Sequence, residues 1–277
     1  MNATERIRFL TKNINSLLVV HYSCQNLNDN NEGYSPRITS IAVLHVGSST
    51  MHSYSIHLVA EFKKIPRDEI DGHYDELEAV MLDDFYRFVQ EHQDHYWLHW
   101  NMTNINFGFE TLEHRYRVLM DRIPPKVDDS KKYNLPAMVS EIYGTDFVDH
   151  PKMSNLMDIN GGKSRDFLTG SEEVEAFTRK EYLKLHKSTM SKVYFFKSVF
   201  HKMQSRKLNT TRSNWRAKAN KMLESIPAKV LALVAVFCSV GQVAYSAYTT
   251  FTNESVNVEP ASSEKDPESP HQNQVDT

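Results

Sequence analysis

The chain is poor in cysteine: 277 residues carry only Cys24 and Cys238. Two thiols cannot build a disulfide framework or a four-cysteine zinc site, and their scarcity fits a reducing compartment. An excess of one charge is also missing. With 32 basic and 35 acidic side chains the net charge is −3, which argues against a protein that binds nucleic acid along its whole length. The opening MNATERIRFLTKNINSLLVV has charges where a secretion signal needs an apolar stretch, so none is expected. None of the 13 histidines forms a His-x3-His or His-Glu-x-x-His pair on a helical stretch, and His92 with His95 lacks a third ligand. The run GGKS at 161–164 fails as a phosphate loop, because Met157 stands where the motif needs glycine. No internal repeat is present.

What remains is ordinary in bulk, 40% apolar and 24% charged, enough for one full core and an appendage. The appendage is conspicuous. Residues 230–251, VLALVAVFCSVGQVAYSAYTTF, hold no charge. At about 1.5 Å per residue they extend ~33 Å, the thickness of a bilayer's hydrocarbon core, and Tyr245 and Tyr248 suit its interface. Residues 197–229 carry nine Lys and Arg against Glu224 alone, whereas the tail after Phe251 carries one Lys and six acids. That asymmetry predicts a single-pass cell inner membrane protein with a cytoplasmic N-terminus and a periplasmic C-terminus. Residues 252–277, rich in Ser, Pro and acids, read as a disordered tail. Within the span, Ala235, Ser239 and Gln242 fall on one helical face. Small residues there allow close helix approach, and the amide is able to bond across a helix pair. Self-association through the span is therefore expected. The basic stretch 197–221 is explained by topology alone, or adds contact with anionic lipid or nucleic-acid phosphates.

The N-terminal part reads as a helix at 4–13, a strand in SLLVVHYSC, and a loop in QNLNDNNEGYSPR. ITSIAVLHVGSSTMHSYSIHLVAEF reads as two strands joined at GSST. Residues 75–93 place Leu77, Met81, Phe85 and Val89 on one helical face, with Asp75 as cap. HYWLHW is a strand, NFGFETLEHRYRVL a helix ended by IPP, and one long charged helix runs from Ser171 to Met203. This order predicts an α/β fold, a mixed sheet with helices packed on it, in a cytoplasmic domain of residues 1–195. A basic juxtamembrane helix or linker at 196–229 and the transmembrane helix at 230–251 follow.

The block HYWLHWNMTNINFGFETLEHRY at 95–116 concentrates aromatics and amides, yet its first carboxylate is Glu110. Together with the strand–hairpin–helix–strand–helix order, it resembles the RNase H-like fold of DEDD exonucleases over residues 14–195. Those enzymes hold two metal ions on four carboxylates for phosphodiester hydrolysis. Here the acids are gone. The Asp-x-Glu positions fall on uncharged residues among His21–Cys24, Gly108 stands in place of the Phe-Asp acid, and Ser191 follows His186 where the last Asp belongs. The resemblance implies a pseudo-exonuclease without metal, cofactor or catalytic residues. His99, Asn101, Asn104 and Asn106 remain as ligand or partner contacts, or as helix-capping and loop-satisfying groups.

The layout also resembles retron-associated transmembrane effectors of bacterial anti-phage defence, on the second block and on RDFLTGSEEVEAFTRKEYLKLHKST. That resemblance implies a toxic membrane protein restrained by a reverse transcriptase and its RNA–DNA hybrid, released on phage interference to cause abortive infection. Two other readings stand beside it. Arg179 and His186, in Arg-x6-His spacing on one helix, match the ribonuclease pair of HEPN proteins and describe a membrane-tethered nuclease. The third reading is a plain membrane anchor or scaffold.

Overall fold

A computed structural model describes residues 1–25, 36–103, 106–211 and 226–254; for 226–229, 231–232 and 251–254 it describes backbone only. Asn104, the loop expected within 25–37, the basic residues 212–221 and the acidic tail beyond 254 fall wholly or mostly outside those residues. The chain divides into two compact units, Met1–Trp215 and Arg216–Thr277.

Unit one is built on a five-stranded mixed sheet. Its central strand β1 (Leu17–Cys24) is buried along its whole length, as expected for a near-continuous apolar run covered on both faces. β2 (Ile38–His45) pairs antiparallel with β1, and β3 (Thr50–Ser55) antiparallel with β2. On the other side β4 (Tyr96–His99) and the short β5 (Lys132–Asn134) run parallel to β1, giving the order β3-β2-β1-β4-β5. The period-two alternation of a strand divides the β1 side chains between two cores. Leu18, Val20, Tyr22 and Cys24 join the helices α2 (Ile56–Lys63), α3 (Tyr74–Glu91) and α4 (Phe109–Met120) through Ile56, Leu77, Met81, Phe85 and Leu112. Leu17 and Val19 join α1 (Ala3–Lys12), α5 (Leu135–Tyr143), α6 (Lys152–Ile159) and α8 (Tyr182–Gln204) through Leu10, Met138, Leu156, Phe196 and Phe200.

Four sequence readings need correction. IHLVAEF is not strand but α2: Ile56, Val59 and Ala60 are buried at helical spacing, and Lys64 at φ +60° closes the helix. Asp75 does not cap α3; His73 holds that position, and Asp75 instead accepts from Arg115 Nη2 at 2.8 Å. The long helix from Ser171 is two helices, α7 (Gly170–Thr178) and α8. Lys180 takes φ +58°, and Glu181 N–H donates to Ala176 O at 2.8 Å while Lys180 N–H donates to Phe177 O at 2.9 Å. That is the Schellman closure, made here without glycine. Lastly, a domain boundary at 195/196 cuts through α8, whose Phe196, Val199, Phe200 and Met203 lie in the core, so Lys197 and Lys202 belong to the folded unit.

Unit two contains α9 (Ile226–Glu254). Its stretch Leu233–Thr250 has a mean hydropathy of 1.2, long and apolar enough to cross a membrane. Ala235, Ser239 and Gln242 are exposed on it. The Ser239 hydroxyl donates to Val236 O at 2.9 Å, satisfied within its own helix.

Candidate functional site

The carboxyl ends of β1 and β4, adjacent parallel strands, open into a cavity of about 280 Å³. Such ends are where open α/β sheets place ligands. β1 contributes His21 to Cys24 to the wall, the turn after β4 contributes Trp100 and Asn101, the approach to α4 contributes Phe107, and α7 and α8 contribute Glu173 and Lys192. The strand pair is irregular at this point: Ser23 faces Ser40 but Cys24 faces Ile38, so Thr39 is the extra residue of a bulge. Thr39 Oγ1 donates to Ser23 O at 3.0 Å and fixes the end of β1.

The floor of the cavity is a buried ion pair. Glu173 stands in the first turn of α7, where Thr169 and Glu172 make a reciprocal cap and the helix N-terminus favours negative charge. Lys192 Nζ lies 2.7 Å from Glu173 Oε1, with side-chain exposures of 6% and 10%. Ser188 Oγ donates to the same oxygen at 2.9 Å and Ser23 Oγ at 3.1 Å. Ser23 Oγ also meets Thr189 Oγ1 at 2.7 Å. The Lys192 ammonium sits 5.6 Å from the Phe167 ring centroid. Lysine, glutamate and hydroxyls thus neutralise one another at the end of β1.

Around this floor the groups are uncharged. Burial, with the Lys192 charge second, holds His21 well below the ordinary histidine range, and its Nδ1 has no hydrogen-bond partner. Phe107 stacks on Tyr22 at 4.4 Å between centroids. The Tyr22 hydroxyl accepts from Gly108 N at 3.0 Å, and burial raises its ionisation above the usual tyrosine value. One carboxylate, already bound by an ammonium and two hydroxyls, does not fit a pair of divalent cations, which demand several hard anionic oxygens. Among the described residues no group of three or more His, Cys, Asp or Glu is placed to hold a metal ion.

The residues singled out in the sequence are dispersed. Asn101, exposed at φ +51°, lines the cavity and is held by Asn134, which accepts from its N–H at 3.1 Å and donates to its Oδ1 at 3.3 Å. His99 is buried, its Nδ1 accepting from Met102 N at 3.2 Å, and burial lowers its pKa to about 3. It supports the turn and does not line the cavity. Asn106 is exposed away from the cavity lining, and the helix that follows is capped by Gly108, not by an asparagine. Ser191 does not line the cleft; of α8 Lys192 does, while Ser188 and Thr189 lie behind it, bonded to Glu173 and Ser23.

The Arg179–His186 pair is separated by the break between α7 and α8. Arg179 is exposed and paired with Glu175 at 2.6 Å, while His186 is 4% exposed and bonded to Ser40 Oγ at 2.7 Å. Burial, then His57, lowers the His186 pKa to about 4. The pair shares no helical face and His186 is closed to a substrate. GGKS is the turn that ends α6, with Lys163 3.2 Å from Asp158.

No protein-family description, curated protein or solved structure matches this chain.

Sequence reasoning missed the two residues at the centre, Glu173 and Lys192. No motif links them, because they lie on different helices and meet only through the fold. The one available signal is local: Thr169 and Glu172 mark a capping box, which places Glu173 in a first turn.

Proposed function

We propose that the protein is a single-span membrane effector. In this reading an RNase H-like domain has lost nuclease chemistry and serves as the module through which a partner restrains the membrane helix. One observation carries it: the Glu173–Lys192 pair occupies the strand end at which the resembling exonucleases gather carboxylates and metal. The strand order, with two antiparallel pairs (β1–β2, β2–β3) and two parallel ones (β1–β4, β4–β5), supports an RNase H-like assignment. α9 supplies the span. Basic residues before it and acids after it orient the folded unit to the cytoplasm and the tail to the periplasm of the inner membrane.

The layout's resemblance to retron-associated transmembrane effectors supplies the setting. A reverse transcriptase with its RNA–DNA hybrid keeps the toxin silent, and loss of that restraint during phage infection kills the cell. The basic residues at 197–221 would meet nucleic-acid phosphates. A lone apolar helix cannot line a pore, so damage requires association of several copies. Ala235, Ser239 and Gln242 form the slim, amide-bearing face for it.

The test expresses the full chain, reads membrane depolarisation and growth, and challenges the purified protein in detergent with RNA and DNA. The chain depolarises and cuts neither nucleic acid. The variant Ala235→Leu with Ser239→Leu, and the variant Gln242→Leu, insert normally but no longer depolarise. Cleavage that Arg179→Ala or His186→Ala abolishes overturns the reading in favour of a tethered nuclease. Undiminished toxicity of both span variants reduces α9 to an anchor.

A further inference from the structure

We infer that the cavity at the end of β1 binds a neutral, planar heteroaromatic molecule of the free nucleoside type. The inference rests on the reading of this cleft as non-catalytic and names what the cleft takes instead. Three observations combine. First, Trp100, Phe107 and Phe167 stand in the wall of a cavity of about 280 Å³, and aromatic side chains favour a flat ring through stacking. Second, the lining carries one anion, Glu173, and one cation, Lys192, already joined at 2.7 Å, so its formal charge is zero. A ligand phosphate entering it finds no uncompensated cation to offset its lost hydration. Third, polar capacity is left over. Glu173 takes its three hydrogen bonds on Oε1, which leaves Oε2 for a ligand N–H. Lys192 beside it offers N–H groups to a ligand carbonyl or ring nitrogen. A nucleobase edge carries a donor next to an acceptor, which matches carboxylate beside ammonium. This selection opposes that of a nuclease cleft, which is built around phosphate.

The experiment titrates the purified full chain in detergent with adenosine, guanosine, cytidine and uridine. Each 5′-monophosphate, inorganic phosphate and a short single-stranded oligonucleotide are titrated alongside. Heat of binding and the change in tryptophan fluorescence are recorded, and each probe is recovered for chromatography. At least one nucleoside binds saturably, its monophosphate binds tenfold or more weakly, and phosphate does not bind. Val174→Trp, at the exposed rim on α7, abolishes the signal, and Glu173→Gln weakens it at least tenfold. The inference is overturned if no nucleoside binds at millimolar concentration. It is equally overturned if the monophosphate or only the oligonucleotide binds, or if Val174→Trp binds like the parent. Recovery of a cleaved oligonucleotide would instead overturn the non-catalytic reading, a failure distinct from absence of binding.

Discussion

Removing the charge from Lys192 tests the cavity floor directly. Lys192→Met keeps the length of the side chain and discards its ammonium, leaving Glu173 charged in a setting where the pair is 6% and 10% exposed. Breaking a buried ion pair by deleting one partner costs ~3–5 kcal/mol. Part of that is offset. The Ser188 and Ser23 hydroxyls still donate to Oε1, and the α7 N-terminus still favours the anion by ~0.3–2 kcal/mol. A net loss of about 3 kcal/mol remains. The folded unit is Met1–Trp215, and for domains of this size each kcal/mol moves the melting temperature by ~2–4 °C, so Lys192→Met melts ~6–12 °C below the parent. The double variant Glu173→Gln with Lys192→Met has no buried charge and should recover at least half of the loss. The assay is thermal unfolding of the full chain in detergent, followed by tryptophan fluorescence. A single variant within about 2 °C of the parent, or a double variant less stable than the single, refutes the view that the pair forms one buried unit.

Three further outcomes follow from the same geometry. His21, His99 and His186 are buried neutral, with pKa values well below the ordinary value, about 3 and about 4 respectively. The unfolded chain takes up their protons below ~6.5 and the folded chain does not, so stability falls as pH falls. Between pH 6 and 5 the loss is ~3–4 kcal/mol, read from the melting temperature, and a flat profile would contradict it. Magnesium or manganese at millimolar level leaves the melting temperature of the full chain unchanged, because the cavity offers one carboxylate already held by Lys192. A shift of several degrees would locate acids elsewhere that bind metal. A reporter active only outside the cytoplasm works when fused after Thr277 and is silent after Glu224; the reverse result inverts the orientation.

The strands and long amphipathic helices were legible because local periodicity decides them. LLVVHYSC reads as a strand by its short apolar run, and Leu77, Met81 and Phe85 mark the buried stripe of α3. The hydrophobic span announced itself by length and lack of charge. The break at Lys180 was invisible because a non-glycine residue takes the left-handed conformation there. β5 has three residues, too short for any alternation to register. Of the candidate cavity only the strand segment His21–Cys24 and the turn at Asn101 were within reach of the sequence. Its ion pair depends on the tertiary meeting of Glu173 on α7 with Lys192 on α8. His99 was drawn by its neighbours into the candidate list, yet its burial makes it a support for the turn at Met102.

The start of β2 is pinned by α3 at both its N–H and its carbonyl. Ile38 N–H donates to Glu78 Oε1 at 2.7 Å, and Tyr74 OH donates to Ile38 O at 3.1 Å. Arg115 holds Glu78 through Nε at 2.9 Å. Gln25 N–H donates to Arg37 O at 2.8 Å, which ties the two ends of the connection between β1 and β2. The register of the hairpin is therefore set at its base and owes nothing to the length of the connection between them. Doubling that length would cost only ~0.6 kcal/mol in closure entropy. The chain between Gln25 and Arg37 can therefore be lengthened without disturbing the pairing of β1 with β2.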